Sequence, residues 1–316
     1  MASKRFTVLK GTVGRVSYVK ASHYRAIYRA GTFEIKPMSA SELLGQYAAG
    51  ARDFRNANLI GADLSSSDLS DINLRGANLH GANLRGANLR GANLREANLL
   101  ELNLYGANLS EANLIGVAVT GADLRDVILH GANLRGVHLA GANMTNVDMS
   151  GAILSEVDLR GANLSKAKLV EASMTRINMT NAVLVGANLE AANLTNGILS
   201  GAMLEGANLT DAVLNGATLE GANLREANLN KARLSGATLI EANLTAATLR
   251  NANLSWASLR GATLNRANLY RANLSWANLS EASLIEAVML NARIDRANLR
   301  NTKLTGTVMP DASTHE

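Results

Sequence analysis

The sequence predicts an all-β solenoid, and three observations predict it. From Phe54 to Met309 every fifth residue is Leu or a close apolar substitute, in unbroken register. The residue two before each such centre is usually Ala and the residue just before it usually Asn, as in Gly76-Ala77-Asn78-Leu79 and Gly81-Ala82-Asn83-Leu84. Gly stands two residues after many centres, where it supplies a turn. A period of five suits neither common element. On a helix, steps of five rotate by roughly 140° and scatter the Leu residues around the circumference. On a straight strand, an odd period sends successive Leu residues to opposite faces. All of them point inward only if the backbone turns once per unit, so the chain coils with Leu and Ala inside.

The departures from the repeat indicate how many units close one coil. Val117, Val137, Val157 and Ile177 replace the small inward Ala at intervals of twenty residues. Val127 and Val147 do the same on the opposite side, and the two tryptophans, Trp256 and Trp276, are also twenty apart. A coil of four pentapeptides stacks each set in a column, whereas a three-sided coil scatters them. Met144, Met149, Met174 and Met179 occupy centres beside the bulkier residues, where an adaptable side chain fills irregular space.

The repeated A(N/D)LXX unit resembles the pentapeptide repeat family. That resemblance implies a right-handed quadrilateral β-helix over residues 51–309. The run from Glu42 to Gly50, leading into Phe54, resembles the N-terminal caps of cyanobacterial members. At ~4.8 Å per coil, about 52 units in about 13 coils give a rod about 60 Å long. Its bore is filled by Leu side chains, so it is neither a pore nor a pocket.

Residues 1–38 form a basic, aromatic and partly β N-terminal segment. Phe6 and Val8, Val16 and Tyr18, and Phe33 and Ile35 alternate in strand fashion, and Tyr24 and Tyr28 add apolar content. Pro37 breaks this pattern. Ser39 and Glu42 have capping-box spacing ahead of Leu43, Leu44 and Tyr47, and Gly50 follows as a stop. Residues 39–50 are therefore a capping helix over the first coil, whose strand edges need a lid. Pro310 ends the coils and leaves a tail at 310–316. Either that tail or a second copy, in a homodimer through the last coils, covers the far end.

The chain has no Cys, which excludes disulfides and thiolate metal sites. It has no apolar run of about 18 residues and no secretory leader pattern, so the cytoplasm is the expected compartment. A transit peptide is the alternative reading of residues 1–37, which are rich in Arg, Lys and Ser. Charge is uneven: residues 1–50 hold eight basic and two acidic residues, a net of +6. The rest holds 23 basic and 24 acidic, a net of −1. The basic pI thus belongs to one end.

Little in the sequence points to catalysis. His80 and His130 fall on opposite corners of a four-sided coil and His138 in a third direction, so they do not converge on a metal. His23 and His315 lie outside the repeat. No Ser has a positioned base, and Gly-rich stretches such as residues 81–86 are turn glycines without a helix N-terminus to hold an anion. We expect no enzyme, no cofactor and no metal.

Three features point to partners instead. The segment 1–37 carries Arg5, Lys10, Arg15, Lys20, Arg25 and Arg29, suited to an acidic protein complex. Arg55, Arg75 and Arg95 stack one coil apart, with Arg85 and Arg90 on adjoining corners. Trp256 and Trp276 share a column that Arg296 continues, with Arg266, Tyr270 and Arg271 in neighbouring units; such residues dominate interface hot spots. The expected function is a non-catalytic scaffold, a rigid rod with a basic anchor and a distal aromatic patch for partner proteins. The family also implies an alternative, DNA mimicry towards DNA gyrase, which needs a strongly acidic rod that this sequence does not encode. Binding of nucleic acid or an anionic membrane through residues 1–37 is the other alternative, although no recognition motif accompanies the charge.

Overall fold

Each pentapeptide contributes one side of a coil. In the computed structural model, which describes residues 36–119 and 123–316, the residue before each centre pairs in parallel with its equivalent twenty positions on, as Asn78 with Asn98. A coil is therefore four pentapeptides, and the described residues of the repeat form an all-β solenoid. Two units are distinguished, Met1–Lys36 and Pro37–Glu316. The strands expected in 1–38 and the cations Arg5, Lys10, Arg15, Lys20, Arg25 and Arg29 lie outside the described residues.

Hydrogen bonding explains why each side is so short. Asn78 donates its N–H back to Ala57 (2.9 Å), Leu79 donates forward to Asn98 (2.9 Å), and Gly81 donates forward to Leu100 (3.0 Å). The Ala82 N–H then returns to the Leu79 carbonyl (3.0 Å), closing a four-residue turn whose third residue has positive φ. This corner recurs after nearly every centre, at Gly81 with φ 63° and equally at Asn196 with 55°. Gly is the least strained occupant, but Asn, Asp, Glu, Arg and Trp occur there too.

Asn before the centre has two duties. Its Oδ1 accepts the corner N–H two residues on, as Asn78 does from His80 (3.3 Å), and its Nδ2 reaches back along the column, as from Asn98 to Asn78 (3.0 Å). The first coil has no coil behind it and needs acceptors only, and three of its four positions are Asp53, Asp63 and Asp68. Asn73, Asn83 and Asn88 donate to them. Asp123 and Asp158, set within the columns, each hold an Arg two residues on, Arg125 and Arg160, at 2.6 and 2.7 Å.

The bore is filled. Leu centres and their inward Ala neighbours from Leu59 to Met289 are almost all fully buried, and Met144, Met149, Met174 and Met179 are buried as expected. Val117, Val137, Val157 and Ile177 form one inward column that ends at Gly197. A Cβ on Gly197 would lie 3.0 Å from the Leu194 carbonyl oxygen and 3.4 Å from both the Ile177 Cγ2 and the Leu199 Cδ1, so the turn backbone and the Ile177 side chain together crowd this position.

Helix α1, Ala40–Ala48, closes the first coil. Ser39 caps it by accepting the Glu42 N–H at 3.1 Å. Leu43 is buried against the core, and the Tyr47 hydroxyl donates to the Ser70 carbonyl at 2.8 Å. At the other end the tail turns back on one side, with Gly306 donating to His315 (2.8 Å) and His315 to Thr307 (3.0 Å). Of the two covers considered for that end, the tail serves one side. On the other sides the Ile294, Leu299 and Leu304 N–H groups have no backbone partner among the described residues.

The Ile177–Gly197 contact predicts a coupled pair. Ile177→Ala should cost about 2–4 kcal/mol in denaturant unfolding, with Gly197→Ala recovering part of it in that background but not in the wild type. Strict additivity would refute the packing account. The Asn columns predict a polarity effect: Asn208→Asp faces the Asn188 Oδ1 with an acceptor and should cost about 1–3 kcal/mol, whereas Asp63→Asn keeps an acceptor and should leave the unfolding midpoint at neutral pH nearly unchanged. The carboxylates predict a pH dependence. Hydrogen bonds from Ser65 hold the Asp63 carboxyl below its usual range, those from Ser70 do the same for Asp68, and the Arg160 guanidinium does so for Asp158. Because their folded pKa values are depressed, this stability is complete above about pH 4 and is lost as pH falls through the folded values. The melting temperature should stay level from neutral pH to about 5 and drop below about 4, with a shallower drop in Asp158→Asn.

Candidate interaction surface

The corner residue two after a centre is the most outward position of the repeat, and in one column it reads Gly216, Gly236, Trp256, Trp276, Arg296. The twenty-residue coil stacks these side chains. The two indole rings lie 4.7 Å apart and 6° from parallel, and the Arg296 guanidinium sits 4.4 Å from the Trp276 centroid. Trp256 remains 61% exposed and Trp276 42%. Both hold φ near +60°, a conformation unfavourable for a bulky residue by about 1–3 kcal/mol. Beyond Trp256 the column continues with Gly236, around which the space is open, so the outer ring face is uncovered.

Tyr270 and Arg271 occupy the adjoining corner of the same side rather than touching the tryptophans. The Arg271 guanidinium lies 5.0 Å from the Tyr270 ring, and Arg250, one coil earlier, lies 5.2 Å from it. Arg250 was not singled out in the sequence, although its twenty-residue spacing from Tyr270 signals it. Arg266 is on a different corner and pairs with Glu286 at 2.6 Å. The side between the Tyr and Trp corners carries Lys231, Arg233, Arg250, Arg271, Arg293 and Arg296, all exposed, against Asp295 alone. Counting charge over the whole rod hides this concentration.

The Arg ladder is largely neutralised within the chain. Arg55 pairs with Asp53 at 2.7 Å, while Arg75 and Arg95 share Glu96 at 3.3 and 3.1 Å. Arg90 pairs with Glu111 at 2.9 Å, and Arg85 and Arg125 flank the Tyr105 ring at 5.3 and 5.5 Å. Among the described residues no group of three or more His, Asp or Glu side chains is placed to hold a metal, and no helix is long and apolar enough to cross a membrane.

A family model described as Pentapeptide repeats (8 copies) matches overlapping stretches over residues 53–126 and 128–309. A search of curated proteins gives no match. Among solved structures, the chain is similar to HetL from the cyanobacterium Nostoc sp. strain PCC 7120, described as involved in heterocyst differentiation regulation. Identity is 34%, covering 88% of this chain and 100% of that one, with a TM-score of 0.23. A second Nostoc protein, alr5209, is 34% identical over 40% of this chain and 84% of its own, with a TM-score of 0.19. QnrB1, a plasmid-mediated fluoroquinolone resistance protein, matches in a trypsin-treated form at 15% identity over 51% and 83% of the two chains, with a TM-score of 0.41. The unbroken five-residue register, its left-handed corners and the match along nearly the whole repeat establish that this chain belongs to the pentapeptide repeat family.

Proposed function

We propose that this chain is a non-catalytic interaction protein of the cytoplasm, a right-handed four-sided rod that presents separate patches to partner proteins. The observation that carries this reading is the exposed Trp256–Trp276 stack closed by Arg296. Its rings are held at corners where Gly is the unstrained choice; stacking offsets that strain, and the exposed ring surface remains available to a partner. Tyr270, Arg250 and Arg271 extend the same surface across one side. Residues 1–38, with their net basic charge, act as the anchor towards an acidic protein, and the largely paired Arg75 and Arg95 contribute less than their ladder suggests. Phosphate mimicry has no support in a rod that is close to neutral, with 23 basic and 24 acidic residues from residue 51 on.

Affinity capture from cells of the source organism tests this reading, using full-length protein, a deletion of residues 1–36, and Trp256→Gly/Trp276→Gly. Gly is native to this column at 216 and 236, so the double variant should keep its fold and melting temperature. It should lose a captured protein, with affinity reduced about tenfold or more once that protein is purified. Unchanged capture by both altered proteins would refute the proposal.

A further inference from the structure

The basic side described above continues, in the four preceding coils, as an acidic one. Between residues 150 and 216 the same two corners and the face between them carry Glu156, Glu171, Glu190 and Asp211, with Arg176 the only base, and all four acids are exposed. The sign of the side thus reverses between Asp211 and Lys231. Four coils with four acids and one base on this side are followed by four coils with six bases and one acid.

The reversal has an internal symmetry. Asp211 and Lys231 stand in the same corner column, twenty residues apart. Glu190 and Arg250 share a column sixty apart, Glu171 and Arg271 share one a hundred apart, and Glu156 and Arg296 share one a hundred and forty apart. Each pair is centred on the same level, midway between the coils of Asp211 and Lys231. A two-fold axis at that level, lying between two antiparallel rods and parallel to their facing sides, keeps every residue in its column and exchanges the coils in this way. It sets Lys231 opposite Asp211 of the other copy, Arg250 opposite Glu190, Arg271 opposite Glu171 and Arg296 opposite Glu156. Trp276, whose two ring faces are taken by Trp256 and Arg296, falls edge-on opposite Arg176 of the other copy, itself paired with Glu156. Arg233 and Arg293 fall opposite Val213 and Ile153. Like charges meet one coil apart across the axis at Arg233, Lys231 and Asp211, and only at Arg233 is no opposite charge set between the two copies.

The ion pairs within the rod agree with this arrangement. Most acids elsewhere on the repeat have an Arg, Lys or His within 4.0 Å, yet Lys231, Asp211, Arg250, Glu190, Arg271, Glu171 and Arg296 have no such partner among the described residues. Three complete pairs of the symmetric set therefore lack an ion-pair partner within the fold, although Arg250 and Arg271 lie against the Tyr270 ring and Glu190 accepts from Asn208.

We propose that this side is a self-complementary interface: two copies pack side by side and antiparallel through residues 150–297, centred between Asp211 and Lys231. The inference rests on the interaction reading above and names the occupant of that surface as a second copy of this chain. It is distinct from an end-to-end dimer through the last coils. At ~4.8 Å per coil the contact runs roughly 40 Å, and exposed ion pairs supply much of it, so the dimer is weak and salt-sensitive.

The test is a charge swap read by sedimentation velocity on the full chain. One variant carries Glu171→Lys and Glu190→Lys, the other Arg250→Glu and Arg271→Glu. All four sites are at exposed corners, and Lys, Arg and Glu already occupy equivalent positions elsewhere, so circular dichroism should show unchanged folds. Wild type should dimerise at low ionic strength, with affinity weakened about tenfold or more when salt reduces the screening length. Each variant alone should be monomeric. An equimolar mixture should regain the dimer, because every altered charge then meets its opposite across the axis. The emission of Trp256 and Trp276, the only tryptophans, should change on mixing. A wild type monomeric at low salt, a dimer indifferent to both reversals (end pairing), or a mixture that stays monomeric would each overturn the proposal. Those outcomes leave the capture experiment on the Trp variant free to succeed or fail independently.

Discussion

The structure depends on one backbone constraint: the residue two beyond each centre must take a positive φ. That corner brings the following N–H back onto the Leu carbonyl and turns the chain by one side. It also leaves the remaining polar groups pointing along the rod, where the coils twenty residues away receive them. Once the corner is fixed, Leu and Ala can only point inward, Asn can only lie along a column, and the two residues after Leu can only face solvent. A sixth residue in any unit would rotate everything after it out of register. The unbroken repeat is therefore a condition of the fold rather than decoration upon it.

Specificity enters where the column chemistry departs from Asn, Leu and Gly. Asp opens three of the columns because the first coil needs acceptors alone, and within the columns Asp123 and Asp158 are each accompanied by Arg two residues later and Asp148 by Ser150. Gly197 follows Ile177 where a Cβ would crowd the Leu194 carbonyl and the Ile177 and Leu199 side chains. These are local accommodations. The tryptophan corner has no such explanation: the fold has no need of an indole where Gly suffices, and placing two of them there adds strain. What the fold does not require is the natural place to look for contact with another molecule.

The rod also converts linear spacing into surface pattern. Charges a hundred residues apart in sequence share a column five coils apart, and a side changes sign without any break in the backbone. The near-neutral total of the repeat therefore conceals an acidic and a basic stretch on one side. The Arg ladder near the start looks equally prominent in sequence, yet two of its members share Glu96 and two others pair with Asp53 and Glu111. Prominence in sequence and availability on the surface are different properties.

The sequence by itself determined the coil. Its period, the twenty-residue columns of Val and Trp, and the cap at Ser39 were all legible, because these features follow from local geometry repeated without interruption. It also determined that Trp256, Trp276 and Arg296 share a column. The tertiary structure alone decided which charges remained free. Whether Arg75 reaches Glu96, whether Arg250 lies over Tyr270, and whether the tail folds back onto Gly306 depend on distances across neighbouring coils and between side chains with several rotamers. Register fixes the column of each side chain, but only the packed coils fix its partner.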